Sequence, residues 1–335
     1  MKTHETYIKR CIELAKNGLG TTYPNPLVGS VIVYNNEIIG EGWHRKAGEP
    51  HAEVNAINSV KDKSLLNKST IYVSLEPCSH FGKTPPCCDL IIANAIPNVV
   101  IGTIDPFAKV AGNGIKKLIE AGKNVTIGIL EEECNELNKR FFTFHTKKRP
   151  YIILKWAESQ GGFIAPSSKE NQKPVWITNE YSRQLVHKWR SEEQAILVGT
   201  NTVIDDNPSL TTRDWTGNNP IRIVLDQNNR ISKENLIFDN QAKTISISND
   251  NFNFTNNLGQ KITDLLFYEE IQSIIIEGGR QTLQTFIDEN LWDEARVFKG
   301  RINFKNGTKA PKINFKNIKR QQILEDELLI FFNHD

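Results

Sequence analysis

The sequence has no apolar run approaching the roughly 18 residues that a membrane-spanning helix requires, which argues against a membrane partner. It also lacks a dominant sign of charge. Its 41 basic and 39 acidic side chains leave a net charge of +2, so nothing in the composition points to a nucleic acid. An apolar core of signal-peptide length is missing from "MKTHETYIKRCIELAKNG". Tyr7, Ile8, Cys11, Ile12, Leu14 and Ala15 recur there at helical spacing instead, which reads as an amphipathic helix rather than an address. Cysteine is scarce and odd in number, five in 335 residues. That disfavours a disulfide framework and suits reduced, cytoplasmic thiols engaged in metal or catalytic chemistry.

What is present is an alternation of strand-like and helix-like segments, long enough for two domains. Residues 27–42 read as a hairpin turning at Asn35-Asn36. After it come helix 52–60, strand 69–77, helix 88–96, strand 98–105, helix 114–122, strand 124–130 and a helix over 131–145. "HTKKRP" (145–150) is polar, basic and ends in proline, and reads as a linker, which puts the domains at 1–145 and 146–335. Beyond it we expect strands at 151–157, 175–178, 194–200, 221–226, 243–248, 271–279 and 328–332, with helices at 179–190 and 280–290.

Three of the five cysteines crowd together in "EPCSHFGKTPPCCDL", downstream of "EPHAEV". Zn²⁺ favours imidazole and thiolate, and a catalytic zinc keeps three protein ligands and one open position. His51, Cys78 and Cys87 supply such a set. Glu53, two residues past His51 at the start of a helix, can reach the open position without ligating and can shuttle protons there. Cys87 follows Pro-Pro where a helix should begin, and a helix start favours thiolate. The H-x-E…P-C…C pattern is that of zinc nucleobase deaminases. A closed structural site with Cys88 or His80 as fourth ligand is the bland alternative, and Cys88 in place of Cys87 is another.

The eight residues between Cys78 and Cys87, together with "TTYPNPLVGSVIV", "GEGWHRKAGEPHAEV" and "DPFAKVAGNGI", closely resemble the family of bifunctional riboflavin-biosynthesis deaminase/reductases. The resemblance covers the first domain and continues into the second through "AILVGTNTVIDDNPSLTTR" and "IIIEGGRQTL". It implies a cytidine-deaminase-like three-layer α/β/α domain followed by a dihydrofolate-reductase-like α/β domain. The implied chemistry is removal of an amine from 2,5-diamino-6-(5-phosphoribosylamino)pyrimidin-4(3H)-one, then NADPH reduction of the resulting ribosylaminouracil. It also implies one zinc ion, small phosphoribosyl-pyrimidine substrates and a homo-oligomer.

By the same resemblance His51, Cys78 and Cys87 are the zinc ligands and Glu53 the proton shuttle, while Asn25, His44, Lys83 and Asp105 face the first substrate. Alone, Asn25 between two prolines would simply make a turn. In the second half Ala157, Trp176, Thr202, Asp206, Gly278 and Gly279 would meet the nicotinamide nucleotide, and Lys155, Arg190, Leu210, Arg213 and Glu277 the phosphoribosyl substrate. Alone, Trp176 reads as core and Arg190 as compensation of a helix dipole. Two positions depart from the family pattern: Phe107 stands where an asparagine is usual, and Gly161 where a carboxylate is. A nucleic-acid or nucleoside base deaminase with a degenerate second half would share the zinc motif, but it leaves residues 150–335 without a role.

Overall fold

The computed structural model describes residues 2–79, 85–107, 112–168, 175–314 and 318–333. The chain forms two compact units that meet between Lys148 and Arg149. The first runs α1 (Lys2–Lys16), β1 (Gly29–Tyr34), β2 (Glu37–Trp43), α2 (Ala52–Ser59), β3 (Thr70–Leu75), α3 (Cys87–Ala93), β4 (Asn98–Thr103), α4 (Asn113–Glu120), β5 (Asn124–Ile127), α5 (Glu131–Leu137) and α6 (Lys139–Lys147). Its sheet has the order β2-β1-β3-β4-β5, with β3, β4 and β5 parallel and the β1–β2 hairpin antiparallel. Asn35 and Asn36 both take positive φ at the hairpin turn, a conformation that asparagine tolerates well.

Strand residues alternate between two buried layers. Ile71 and Val73 pack with Ile57, Ile91 and Leu118 of α2, α3 and α4, whereas Tyr72 packs with Ile8, Cys134 and Leu137 of α1 and α5. This is the expected helix–sheet–helix arrangement.

The second unit runs β6 (Tyr151–Glu158), β7 (Phe163–Pro166), α7 (Glu180–Glu192), β8 (Ala195–Gly199), α8 (Thr200–Asp206), β9 (Ile221–Leu225), β10 (Thr244–Ile247), α9 (Leu258–Tyr268), β11 (Ser273–Ile276), α10 (Arg280–Asp288), β12 (Glu294–Lys299), β13 (Gly307–Lys309), β14 (Ile318–Ile323) and β15 (Asp326–Phe332). Its large sheet has the order β10-β9-β8-β11-β6-β12-β15-β14, parallel through β12 and antiparallel at the β15–β14 end. Val186, Trp189 and Val203 of α7 and α8 cover one face. Ile262, Leu266, Leu283 and Phe286 of α9 and α10 cover the other.

Several expectations need correction. Residues 145–147 are the last turn of α6, where the apolar stripe of Phe141 and Phe144 continues the helix, so the basic stretch is not a free linker. Residues 175–178 form no strand, and Trp176 is 55% exposed. The single helix expected over 131–145 breaks at Asn138. There the buried Asn138 side chain accepts from the Leu27 amide at 2.8 Å and donates to the Leu27 carbonyl at 2.9 Å. The amide stands in for a neighbouring strand and fixes the segment that carries Asn25. Asn138→Ala leaves two buried backbone groups unpaired, so it should lower this unit's stability by about 2–3 kcal/mol in a urea titration. An unchanged midpoint would show that Leu27 is satisfied elsewhere.

Candidate functional site

Three backbone devices bring the first cluster together. His51 is the N-cap of α2, which places Glu53 in that helix's first turn. Pro86 caps α3, so Cys87 opens the helix, and the Cys87 amide donates to Cys78 Sγ at 3.3 Å. Cys78 lies just past the end of β3. His51 Nδ1 is 3.6 Å from Cys78 Sγ and 3.4 Å from Cys87 Sγ, and the three ligand atoms lie within 4.8 Å of one another. Tetrahedral zinc, at about 2.3 Å from sulfur and about 2.0 Å from nitrogen, sets nitrogen and sulfur about 3.5 Å apart. The donor set therefore fits zinc in both chemistry and spacing.

The electrostatics agree. With no cation between them the two thiols share a proton: hydrogen bonding from Cys87 pulls Cys78 down to about 4, and the same contact pushes Cys87 up. A bound cation replaces that proton. Glu53 is 3% exposed and burial raises its carboxyl to about 7, as suits a group that both takes and gives protons. Cys88 is not part of the cluster. Its thiol donates to the Pro77 and Gly114 carbonyls, and burial raises it to about 12. His80 and Lys83 lie outside the described residues.

Sequence reasoning missed the side chain that braces this site. Buried Glu76 accepts from the amides of Gly112 (3.0 Å), Gly114 (2.9 Å), Ile115 (3.3 Å) and Asp105 (3.4 Å), which ties the start of α4 to the segment before Cys78. A Cβ on Gly114 would sit 2.2 Å from the Pro77 carbonyl, so only glycine permits this approach. A carboxylate inside "SLEPC" ahead of a glycine-started helix is the only sequence signal for it.

Asn25 Nδ2 lies 3.0 Å from His44 Nε2, and His44 Nδ1 lies 3.2 Å from the Pro50 carbonyl. His44 thus donates from Nδ1 and accepts from Asn25. Its ring meets that of His51 edge-on, at 5.3 Å between centroids, which places the Asn25–His44 pair beside the metal ligands. Asp105 is buried and its carboxylate accepts from the Phe107 amide at 2.8 Å. Phe107 packs on His145 (4.8 Å between centroids), so an aromatic contact occupies the departing position.

The second unit holds a cavity of about 1150 Å³. It opens where the parallel strands β8 and β11 end side by side and their following helices, α8 and α10, leave for opposite faces of the sheet. Such a divide is where open α/β sheets bind ligands. Thr202 and Asp206 of α8 and the Gly278-Gly279 turn line this end, with Ala157 of β6. A Cβ on Gly278 would come 2.7 Å from Thr282 Cβ, so glycine is required there for the close strand–helix approach, whereas one on Gly199 would meet only the Thr282 hydroxyl, at 2.9 Å. Trp176 stands at the rim with the Arg183 guanidinium 4.9 Å from its ring centroid, not in the core.

The same cavity is also lined by Lys155, Arg190, Leu210, Glu277 and the exposed Arg213. Arg190 Nη2 donates to Glu277 Oε2 at 2.8 Å, and Lys155 Nζ is 3.9 Å from the same oxygen. Burial alone would raise the Glu277 carboxyl, but Arg190 and Lys155 pull it down to about 2. Burial lowers the Lys155 ammonium against the pull of Glu277. Glu277 Oε1 and Arg190 Nε are buried without a hydrogen-bond partner, an arrangement suited to a polar ligand. Gly161 sits in the exposed turn between β6 and β7 and is not among the residues that line the cavity.

Residues 1–103 match the family model for the cytidine and deoxycytidylate deaminase zinc-binding region, and residues 150–300 match that for the RibD C-terminal domain. The riboflavin biosynthesis protein RibD of Aquifex aeolicus is 38% identical over 352 residues, covering 98% of both chains. That of Escherichia coli is 42% identical over 254 residues, covering 72% of this chain and 68% of that one. A diaminohydroxyphosphoribosylaminopyrimidine deaminase/5-amino-6-(5-phosphoribosylamino)uracil reductase from Thermotoga maritima has a similar structure, with a TM-score of 0.89 and 36% identity over 98% of both chains. For Acinetobacter baumannii RibD the TM-score is 0.88, at 31% identity over 99% of both. Because the second half matches as a reductase domain, a base deaminase with a degenerate partner is not favoured. Two sites of distinct chemistry, each within its own family match in a chain aligned almost end to end, identify this protein as a member of the RibD family, a bifunctional riboflavin-biosynthesis deaminase and reductase.

Proposed function

We propose that the first unit hydrolyses the amine of 2,5-diamino-6-(5-phosphoribosylamino)pyrimidin-4(3H)-one and that the second reduces 5-amino-6-(5-phosphoribosylamino)uracil with NADPH. The observation that carries the first step is a buried carboxyl, Glu53, beside a three-donor set of zinc spacing. His51, Cys78 and Cys87 would hold the ion, whose Lewis acidity makes a water nucleophilic near neutral pH. Glu53 takes a proton from that water and hands one to the ring nitrogen next to the amine-bearing carbon. It then takes the remaining proton from the oxygen now bonded to that carbon and passes it to the amine, which leaves as ammonia. Asn25, fixed by His44 and by the Asn138–Leu27 brace, pairs with the pyrimidine edge. His44, Lys83 and Asp105 complete the substrate side.

In the second unit the Gly278-Gly279 turn, Thr202, Asp206, Ala157 and Trp176 hold the nucleotide, which supplies a hydride. Arg190 and Arg213 hold the phosphate, with Leu210 beneath them. Lys155, kept in place by Glu277, polarises C1′ of the opened ribose and gives the proton that accompanies hydride addition. The two units act in sequence in a cytoplasmic homo-oligomer.

Glu53→Gln should cut ammonia release about 10²–10⁴-fold while zinc content and NADPH oxidation with pre-deaminated substrate stay at the parent level. Retained deamination would remove the proton-shuttle role. Lys155→Ala should slow single-turnover hydride transfer by a comparable factor, about 10²-fold or more, with deamination intact. Unchanged transfer would dismiss Lys155 from the chemistry.

A further inference from the structure

His187 has no place in the chemistry above, yet it is 4% exposed and borders the second cavity beside both arginines. It lies on α7 one turn before Arg190 and faces the segment from Ser209 to Asp214. Its Nδ1 is 3.2 Å from the Arg213 amide nitrogen and 3.1 Å from the Thr211 carbonyl oxygen, and its Nε2 is 3.3 Å from Asp214 Oδ2. A neutral imidazole carries one proton, and acceptors flank both nitrogens, the Thr211 carbonyl at Nδ1 and the Asp214 carboxylate at Nε2. The Arg213 amide can only donate, so its contact with Nδ1 selects the tautomer with the proton on Nε2, toward Asp214. Nδ1 is then the acceptor for the Arg213 amide, and the Thr211 carbonyl is served by Arg190 Nη1 at 3.4 Å. Burial, with Arg190 and Arg213 beside it, holds the ring's pKa down to about 4, so the neutral form persists.

The segment that His187 grips is one that needs gripping. Leu210 is buried at φ 55°, left-handed backbone that a γ-branched side chain rarely adopts. The Arg213 guanidinium is in turn hydrogen-bonded to Ser209 Oγ, across the same turn. Arg190 and Arg213 come from a helix and from a loop. Nothing else found among the described residues ties the Arg213 amide to α7.

We infer that His187 is a positioning residue of the reductase half: a neutral imidazole that pins the Arg213 backbone to α7, so that Arg190 and Arg213 meet the substrate's 5′-phosphate as one preformed clamp. This rests on the reading above that the two arginines hold that phosphate.

The test uses the full chain, with the phosphoribosylaminouracil and its 5′-dephosphorylated form as substrates. His187→Leu should raise KM for the phosphorylated substrate about five- to ten-fold, the cost of one lost hydrogen bond, with little change in kcat or in KM for NADPH. The dephosphorylated substrate should lose nothing further. His187→Asn, whose Oδ1 can accept from the Arg213 amide, should recover most of the loss, and a retained kcat and KM for NADPH report that the reductase unit of each variant is folded. Equal losses on both substrates, or an asparagine variant as impaired as the leucine one, would assign His187 to packing and overturn the inference. An Arg213→Ala arm separates the two readings. If it leaves KM for the phosphorylated substrate unchanged, the phosphate assignment itself fails. If it raises KM while His187→Leu does not, only the role of His187 fails.

Discussion

Two sulfurs and an imidazole nitrogen lie within 4.8 Å of one another, beside a carboxyl that is 3% exposed. These acidic groups cannot all ionise in a water-poor site without a cation. In the protein alone one thiol proton is shared between Cys78 and Cys87 and the Glu53 carboxyl is held near neutrality. A divalent ion would remove the conflict, with the Glu53 carboxyl beside the open position. The surrounding architecture keeps the donors in register. The α2 and α3 starts deliver His51 and Cys87, Glu76 and Gly114 bind α4 to the Cys78 segment, and the Cys88 thiol closes the gap between them.

The second unit gathers charges of opposite sign instead, with its cations neutralised in advance. Glu277 is shared by Arg190 and Lys155; it opposes the downward pull of burial on the lysine, and one carboxylate oxygen and one guanidinium nitrogen stay unsatisfied. Preformed pairs of this kind cost little reorganisation when ligand arrives. Gly278 at the β11 end lets that strand and α10 approach closely, since a Cβ there would meet Thr282.

Much of this was legible in the residues. His51, Glu53, Cys78 and Cys87 carry a chemistry that few other arrangements share, and the Asn35-Asn36 turn announces its hairpin because φ is positive at both positions. All eleven residues assigned to the second site by resemblance line one cavity. What stayed hidden depends on tertiary contact. The break at Asn138 has no proline or glycine to mark it, because its cause is a backbone partner 111 residues away. "VWIT" has strand composition but no sheet neighbour. Helix α9 is not assigned from the sequence; Ile262 and Leu266 pack on the sheet. Glu76 and His187 act through backbone amides of distant segments, and no spacing in the sequence records such a bond.

The coordination of the metal is the most direct measurement. X-ray absorption at the zinc edge of the purified full-length protein should show one nitrogen and two sulfur donors plus one light exchangeable ligand, at one ion per chain. A shell of three sulfurs, or of four protein ligands with no exchangeable position, would contradict an open catalytic centre at His51, Cys78 and Cys87.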